Sequence, residues 1–210
     1  MGKHQFTAAA FAVAVVALTG CMGTPVTSIP SLARIDFETT DVSQLAVAVR
    51  VPDGVQSAAD GALLTMIISN PDDPNKSQTG RFLMEETGAA KTDPALVSQQ
   101  RPGARVVSYR LKREDIARFQ ALRALRFTAD GERKQGSLSA MPRLCRTSDW
   151  QLRELLVSVY LKTSETGRFV PVVKDRDLRK DLNDETIELL LPMCGQPAQT
   201  GKAQDRLGDG

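Results

Sequence analysis

The chain predicts a mainly β, antiparallel, sandwich-like single domain with one short helix, placed after a removable signal and a flexible tether. Three observations predict it. Apolar and polar residues alternate with period two in one segment after another, clusters of Pro, Gly, Asn and Asp separate the segments, and only one stretch spaces its apolar residues as a helix does. Alternation does not say whether a sheet closes on itself, so a partly open barrel is the alternative.

The chain opens with Lys3 and His4, a short positive region, followed by a nearly pure Ala, Val, Phe and Leu run over residues 7–18. A run of that length is a secretory signal core and is too short to span a bilayer. It ends in Leu18-Thr19-Gly20-Cys21, with small residues directly before the thiol and no Ala-x-Ala cleavage site. This stretch resembles the lipobox of bacterial lipoproteins. The resemblance implies cleavage after Gly20 and acylation of Cys21, and so a membrane partner reached through the lipid. Under the common sorting rule, Met22 in place of Asp implies the periplasmic leaflet of the outer membrane. The expected organisation is a signal over 1–20, a lipidated cysteine and tether over 21–33, a β-rich periplasmic domain over 34–194, and a disordered tail over 195–210. The tether is expected because residues 22–31 are small, polar and interrupted by prolines.

In the domain, Ile35 and Phe37 alternate with Asp36 and Glu38, and Leu45, Val47, Val49 and Val51 alternate with Ala46, Ala48 and Arg50; both patterns predict strands. Pro52-Asp53-Gly54 is a turn, and residues 62–69 form a nearly continuous apolar strand expected in a central position. Residues 70–80 read as a loop, 81–86 as the returning strand, 87–103 as a second loop with two prolines, and 105–111 as a strand. The helix is expected from Lys112 to about Ala124, with Glu114 and Asp115 near its start and Ile116, Phe119 and Leu122 on one side. Leu125 and Phe127 then lead to the turn pair Asp130-Gly131 and a partner strand over 134–144. Residues 152–162 and 168–174 form a hairpin about Ser164-Glu165-Thr166-Gly167. The charged stretch 175–185 reads as a turn or short helix, and 186–191 as a last strand.

Composition narrows the chemistry. The only histidine, His4, falls within the signal, which removes imidazole-based nucleophilic systems and histidine zinc sites from the expected mature chain. Without Lys3 the mature chain carries 26 basic and 25 acidic residues, a balance unlike that of a nucleic-acid binder. Asp72, Asp73 and Asn75 offer too few oxygens for calcium, and the 175–185 stretch lacks the glycine and ligand spacing of a calcium loop. No cofactor or metal is expected. Residues 101–134 hold ten basic and four acidic residues, either a face for an anionic surface or arginines spread over several elements and paired with acids.

With Cys21 acylated, Cys145 and Cys194 remain, an even pair in an exported protein, and they are expected to form a structural disulfide. The function expected is that of a lipid-anchored envelope lipoprotein, a non-enzymatic binding or assembly module whose partner is an envelope protein or glycan. The alternatives are a glycan hydrolase using carboxylates alone, with Glu85, Glu86, Asp175, Asp177 and Glu188 as candidate acids, and a carrier for a hydrophobic ligand.

Overall fold

The computed structural model describes residues 25–69, 77–126, 135–147 and 154–196. Seven strands form one antiparallel sheet: β1 (Ala46–Pro52), β2 (Val55–Ser69), β3 (Gln78–Thr87), β4 (Ala104–Leu111), β5 (Gln135–Arg146), β6 (Leu156–Lys162) and β7 (Val170–Asp177). Their order across the sheet is β5-β2-β3-β4-β1-β6-β7. The mainly β, antiparallel, single-domain expectation describes this fold, with the strands joined in one continuous sheet.

The connection from β1 to β2 shapes the sheet. Only Asp53 and Gly54 separate the two strands, with Gly54 at φ 86°, yet β4 and β3 lie between them in the sheet order. Strands so closely joined and so far apart in order require the sheet to curl. β2 does the bending: residues 58–61 fall in an interruption of its pairing with β5, between Ser57 and Ala62. Gly61 sits there at φ 70°, and a Cβ on it would stand 2.3 Å from the Met84 carbonyl oxygen. Beyond the bend, Tyr109 on β4 donates to Ser57 Oγ at 3.0 Å, so the start of β2 reaches over the inner face.

The inner face carries the main core. Val47, Val49, Val51, Leu64, Met66, Ile68, Phe82, Met84, Val107 and Tyr109 are all buried in it. Five short helices accompany the sheet: α1 (Ile29–Leu32), α2 (Ala89–Thr92), α3 (Pro94–Val97), α4 (Ile116–Ala124) and α5 (Asp184–Leu190). α4 is the helix expected from the sequence, entered through a 3-10 turn at Arg113–Asp115. Its Phe119 meets Phe82 with ring centroids 5.3 Å apart. Ile187 and Leu191, in α5 and at its end, add to the same core. A smaller core on the outer face joins Ala48, Val106, Tyr160 and Phe169 to Ala90 of α2 and Leu96 of α3. β1, β4 and β6 are therefore covered on both faces.

Several local expectations need correction. Residues 35–39 form turns instead of a strand, because Asp36 accepts from the Glu38 amide at 2.9 Å and the Thr39 hydroxyl at 3.2 Å. β3 starts at Gln78, inside the expected loop, and residues 87–103 contain α2 and α3, the latter capped by Asp93 with Pro94 in its first turn. Residues 186–191 belong mostly to α5, not to a strand: Asn183 accepts from the Thr186 amide at 2.8 Å, and Asp184 and Glu185 occupy the first turn. The chain thus has five short helices among the described residues where one was expected. Residues 25–33, expected as an extended tether, include a 3-10 turn at Val26–Ser28 and α1, with Ser28 only 2% exposed. The expected Asp130-Gly131 turn and most of the 195–210 tail lie outside the described residues.

Candidate functional site

On the outer face, β1, β4 and β6 present Ala46, Ala48, Ser108 and Ser158, small side chains that let α2 and α3 approach closely. Among them stands a buried charge. Arg50 of β1 has only 4% of its side chain exposed and stands opposite Ser158 of β6 in the strand register. A guanidinium removed from water needs a counter-charge and partners for its donors. Nη2 donates to Ser158 Oγ at 2.9 Å and forms an ion pair with Asp175 of β7, while Nη1 donates to the Gln99 carbonyl at 3.3 Å and to its side-chain oxygen at 3.4 Å.

Asp175 reaches this position through a bulge. Val157 pairs with Arg176 and Val159 with Val173, so Lys174 and Asp175 together oppose Ser158. Asp175 has φ 50°, the one non-glycine positive φ among the described residues, and its amide donates to Ser158 Oγ at 2.9 Å. Arg101 approaches the same carboxylate at 3.5 Å. Tyr160 donates to Gln99 Oε1 at 3.0 Å, and burial pushes its phenol above the ordinary 10.0. This cluster joins four pieces of chain: β1, β6, the edge strand β7 and the segment after α3. Its chemistry is that of a fastener, with Arg50 at the centre. Period-two alternation puts Arg50 on the same strand face as Ala46 and Ala48, and the small residues Ala46, Ala48, Ser108 and Ser158 on that face are a usable sign that something packs closely there.

The five candidate acids fall on three elements, β3, β7 and α5. Glu85 on β3 pairs with Arg110 on β4 at 2.7 Å. Asp175 is in the cluster above. Asp177 caps the 3-10 turn after β7 and accepts from the Leu155 amide at 3.1 Å. Glu188 on α5 lies 3.7 Å from Arg146, and Glu86 is exposed at the end of β3 opposite Tyr109. β3 and β7 are separated by three strands.

The basic stretch 101–134 is similarly divided. Arg101, Arg110, Lys112, Arg118 and Arg126 reach Asp175, Glu85, Glu114, Asp115 and Glu38 respectively, and Arg123 donates to the Thr40 carbonyl at 2.8 Å. Cys145 and Cys194 form a disulfide with Cα atoms 4.9 Å apart. Beside it the chain after α5 adds to the end of β5: the Arg146 amide donates to the Pro192 carbonyl and the Cys194 amide to the Arg146 carbonyl, both at 2.9 Å. This C-terminal clasp connects the two edges of the sheet, β7 by way of α5 to β5.

At the other end, residues 36–41 are stapled to the β6–β7 turn. Thr40, 2% exposed, donates to Glu165 at 2.7 Å, and the Asp41 amide donates to Ser164 Oγ at 2.9 Å. Burial pushes Glu165 up, but hydrogen bonds from Thr163, Thr40 and Ser164 outweigh it and hold the carboxyl below its ordinary value. A cavity of about 210 Å³ lies between this segment and Met66, Ile68 and Leu138, with Arg126 and Glu38 paired at 3.2 Å on its wall. It is smaller than the roughly 300 Å³ at which pockets for drug-sized ligands begin. Among the described residues no group of three acidic, Cys or His side chains could hold a metal. Leu18, Thr19, Gly20 and Cys21 lie outside the described residues. Comparison with family models, curated proteins and solved structures returns no match.

Proposed function

We propose that the chain is an envelope lipoprotein, held by acyl chains on Cys21 in the periplasmic leaflet of the outer membrane, whose folded part is a non-enzymatic binding or assembly module. The observation that carries this reading is Leu18-Thr19-Gly20-Cys21 at the end of a twelve-residue apolar run. Acyl chains contribute roughly 0.8 kcal/mol per buried methylene, so two or three of them make a stable anchor. The Cys145–Cys194 bond supports an exported protein, because such bonds persist in oxidising compartments. Support for a binding role comes from the outer face of β5, β2 and β3. There Met141, Leu63 and Leu83 stand side by side in register, and Leu83 and Met141 are 38% and 37% exposed. A contiguous apolar row on a sheet face is a candidate docking surface.

The test is substitution of Cys21 by Ser in cells fed labelled palmitate. The natural chain should take up label and mature to a shorter form, and Cys21→Ser should do neither. Label retained by Cys21→Ser would remove the anchor from the account.

A further inference from the structure

We infer that residues 25–34 form a hook that contacts the phospholipid surface and seats the domain directly on the leaflet holding its anchor, with Ile29 entering the interface. The inference rests on the acylation of Cys21 proposed above and adds to it an orientation and a contact surface.

The reach of the chain supplies the first step. Three residues, Met22, Gly23 and Thr24, separate Cys21 from Pro25, and the four residue-to-residue steps between them span at most about 14 Å whatever their conformation. The headgroup region of one leaflet takes up about 5–8 Å of that. Pro25 is therefore held within about one helix diameter of the membrane surface.

From Pro25 onward the chain offers no slack. The Ser28 amide donates to the Pro25 carbonyl at 2.9 Å, Ser28 is 2% exposed, and the Val26–Ser28 turn lies against β7. The folded body thus begins where the lipid's reach ends, and the face that carries this turn has to meet the leaflet. That face is chemically suited to it. Ile29, 53% exposed, is the most exposed large apolar side chain among the described residues, and Pro30 and Ala33 beside it are exposed too. Arg34 is exposed, its Nε donating to the Pro30 carbonyl at 3.3 Å and closing the hook. An apolar tip with the Arg34 cation beside it suits an interface of acyl chains beneath phosphates, and an anionic leaflet strengthens it.

The acylated full-length protein is reconstituted in vesicles of phosphatidylethanolamine with a minority of phosphatidylglycerol, the phospholipids brominated near the top of their acyl chains. Tryptophan is introduced as Ile29→Trp or, as control, Leu83→Trp on β3. Trp150 is retained in each, and its signal in the unsubstituted protein is subtracted. The tryptophan at position 29 should lose at least about half its fluorescence, as a side chain 5–10 Å into the interface does, and the one at 83 should keep its intensity. Equal intensities at 29 and 83 with acyl chains present in the intact mass would overturn the seating and leave the lipoprotein reading standing. An intact mass without acyl chains would overturn both.

Discussion

Asp175→Asn isolates the charge of the buried pair, because Asn tolerates the left-handed backbone that Asp175 adopts at φ 50°. Arg50 then keeps its bonds to Ser158 and Gln99 but loses its counter-charge while only 4% exposed. Removing one partner of a fully buried pair costs about 3–5 kcal/mol. Asp175 is 36% exposed on its side chain and shared with Arg101, so water relieves part of that penalty, and about 2–3 kcal/mol is expected. Asp175→Ala should cost about 1 kcal/mol more, the penalty of a left-handed alanine. Urea unfolding with the disulfide intact, followed by far-ultraviolet circular dichroism, measures both values, and the first corresponds to a Tm lower by about 4–12 °C. The double substitution Arg50→Met, Asp175→Asn should be milder than the sum of the single ones by at least about 1.5 kcal/mol, since no stranded cation remains. Asp175→Asn within about 0.5 kcal/mol of the natural chain, or strict additivity, would refute the fastener.

Replacing both Cys145 and Cys194 by Ala should lower stability by about 4 kcal/mol, the chain entropy of a loop closed over 49 residues, and should speed hydrogen exchange in α5 before that in β1. Equal acceleration in β1 and α5 would mean that the clasp is no separate unit. Tyr109 and Tyr160 are the only tyrosines in the chain, and burial pushes both phenols above 10.0. Because their folded values are raised, the stability they contribute is complete below about pH 10 and is lost as the pH rises through the folded values. Phenolate absorbance should therefore appear above pH 10, together with unfolding; a midpoint at the ordinary value in a folded protein would contradict the burial of both hydroxyls.

β1, β4 and β6 were legible because their inner-face valines and leucines recur at every second residue, and the disulfide because two cysteines remained once Cys21 was assigned to acylation. Two misread segments, 35–39 and 186–191, share one cause, local polar chemistry overriding an apolar pattern. Thr186 to Leu191 can be written as a strand, but Asn183, Asp184 and Glu185 start a helix just before it. Ile35 and Phe37 alternate correctly, yet Asp36 folds the backbone back on itself. Arg50 was unreadable as a buried residue because its burial depends on Asp175 and Gln99, 125 and 49 positions away. No periodicity records such a pairing. The curl was hidden for a similar reason: a two-residue turn normally joins neighbouring strands, and only the full strand order reveals that β1 and β2 are not neighbours.

The proposed anchoring and the buried pair meet at β7. The Val26–Ser28 turn rests against this strand, α5 follows it, and β6 is its one neighbour in the sheet. On the proposed anchoring, any pull between membrane and domain enters through Pro25 and loads this edge. Its backbone pairing with β6 is interrupted twice, on either side of Val159, and such a ladder is a weak attachment taken alone. Arg50 adds side-chain bonds that bypass the interruptions, tying Asp175 of β7 across β6 to β1, two strands in. Apolar residues of similar volume could stabilise the fold as well or better, since a buried ion pair returns little beyond its desolvation cost. The best-attested use of such a pair is to set register, and the bulged edge strand it ties is the one that the proposed anchoring would load.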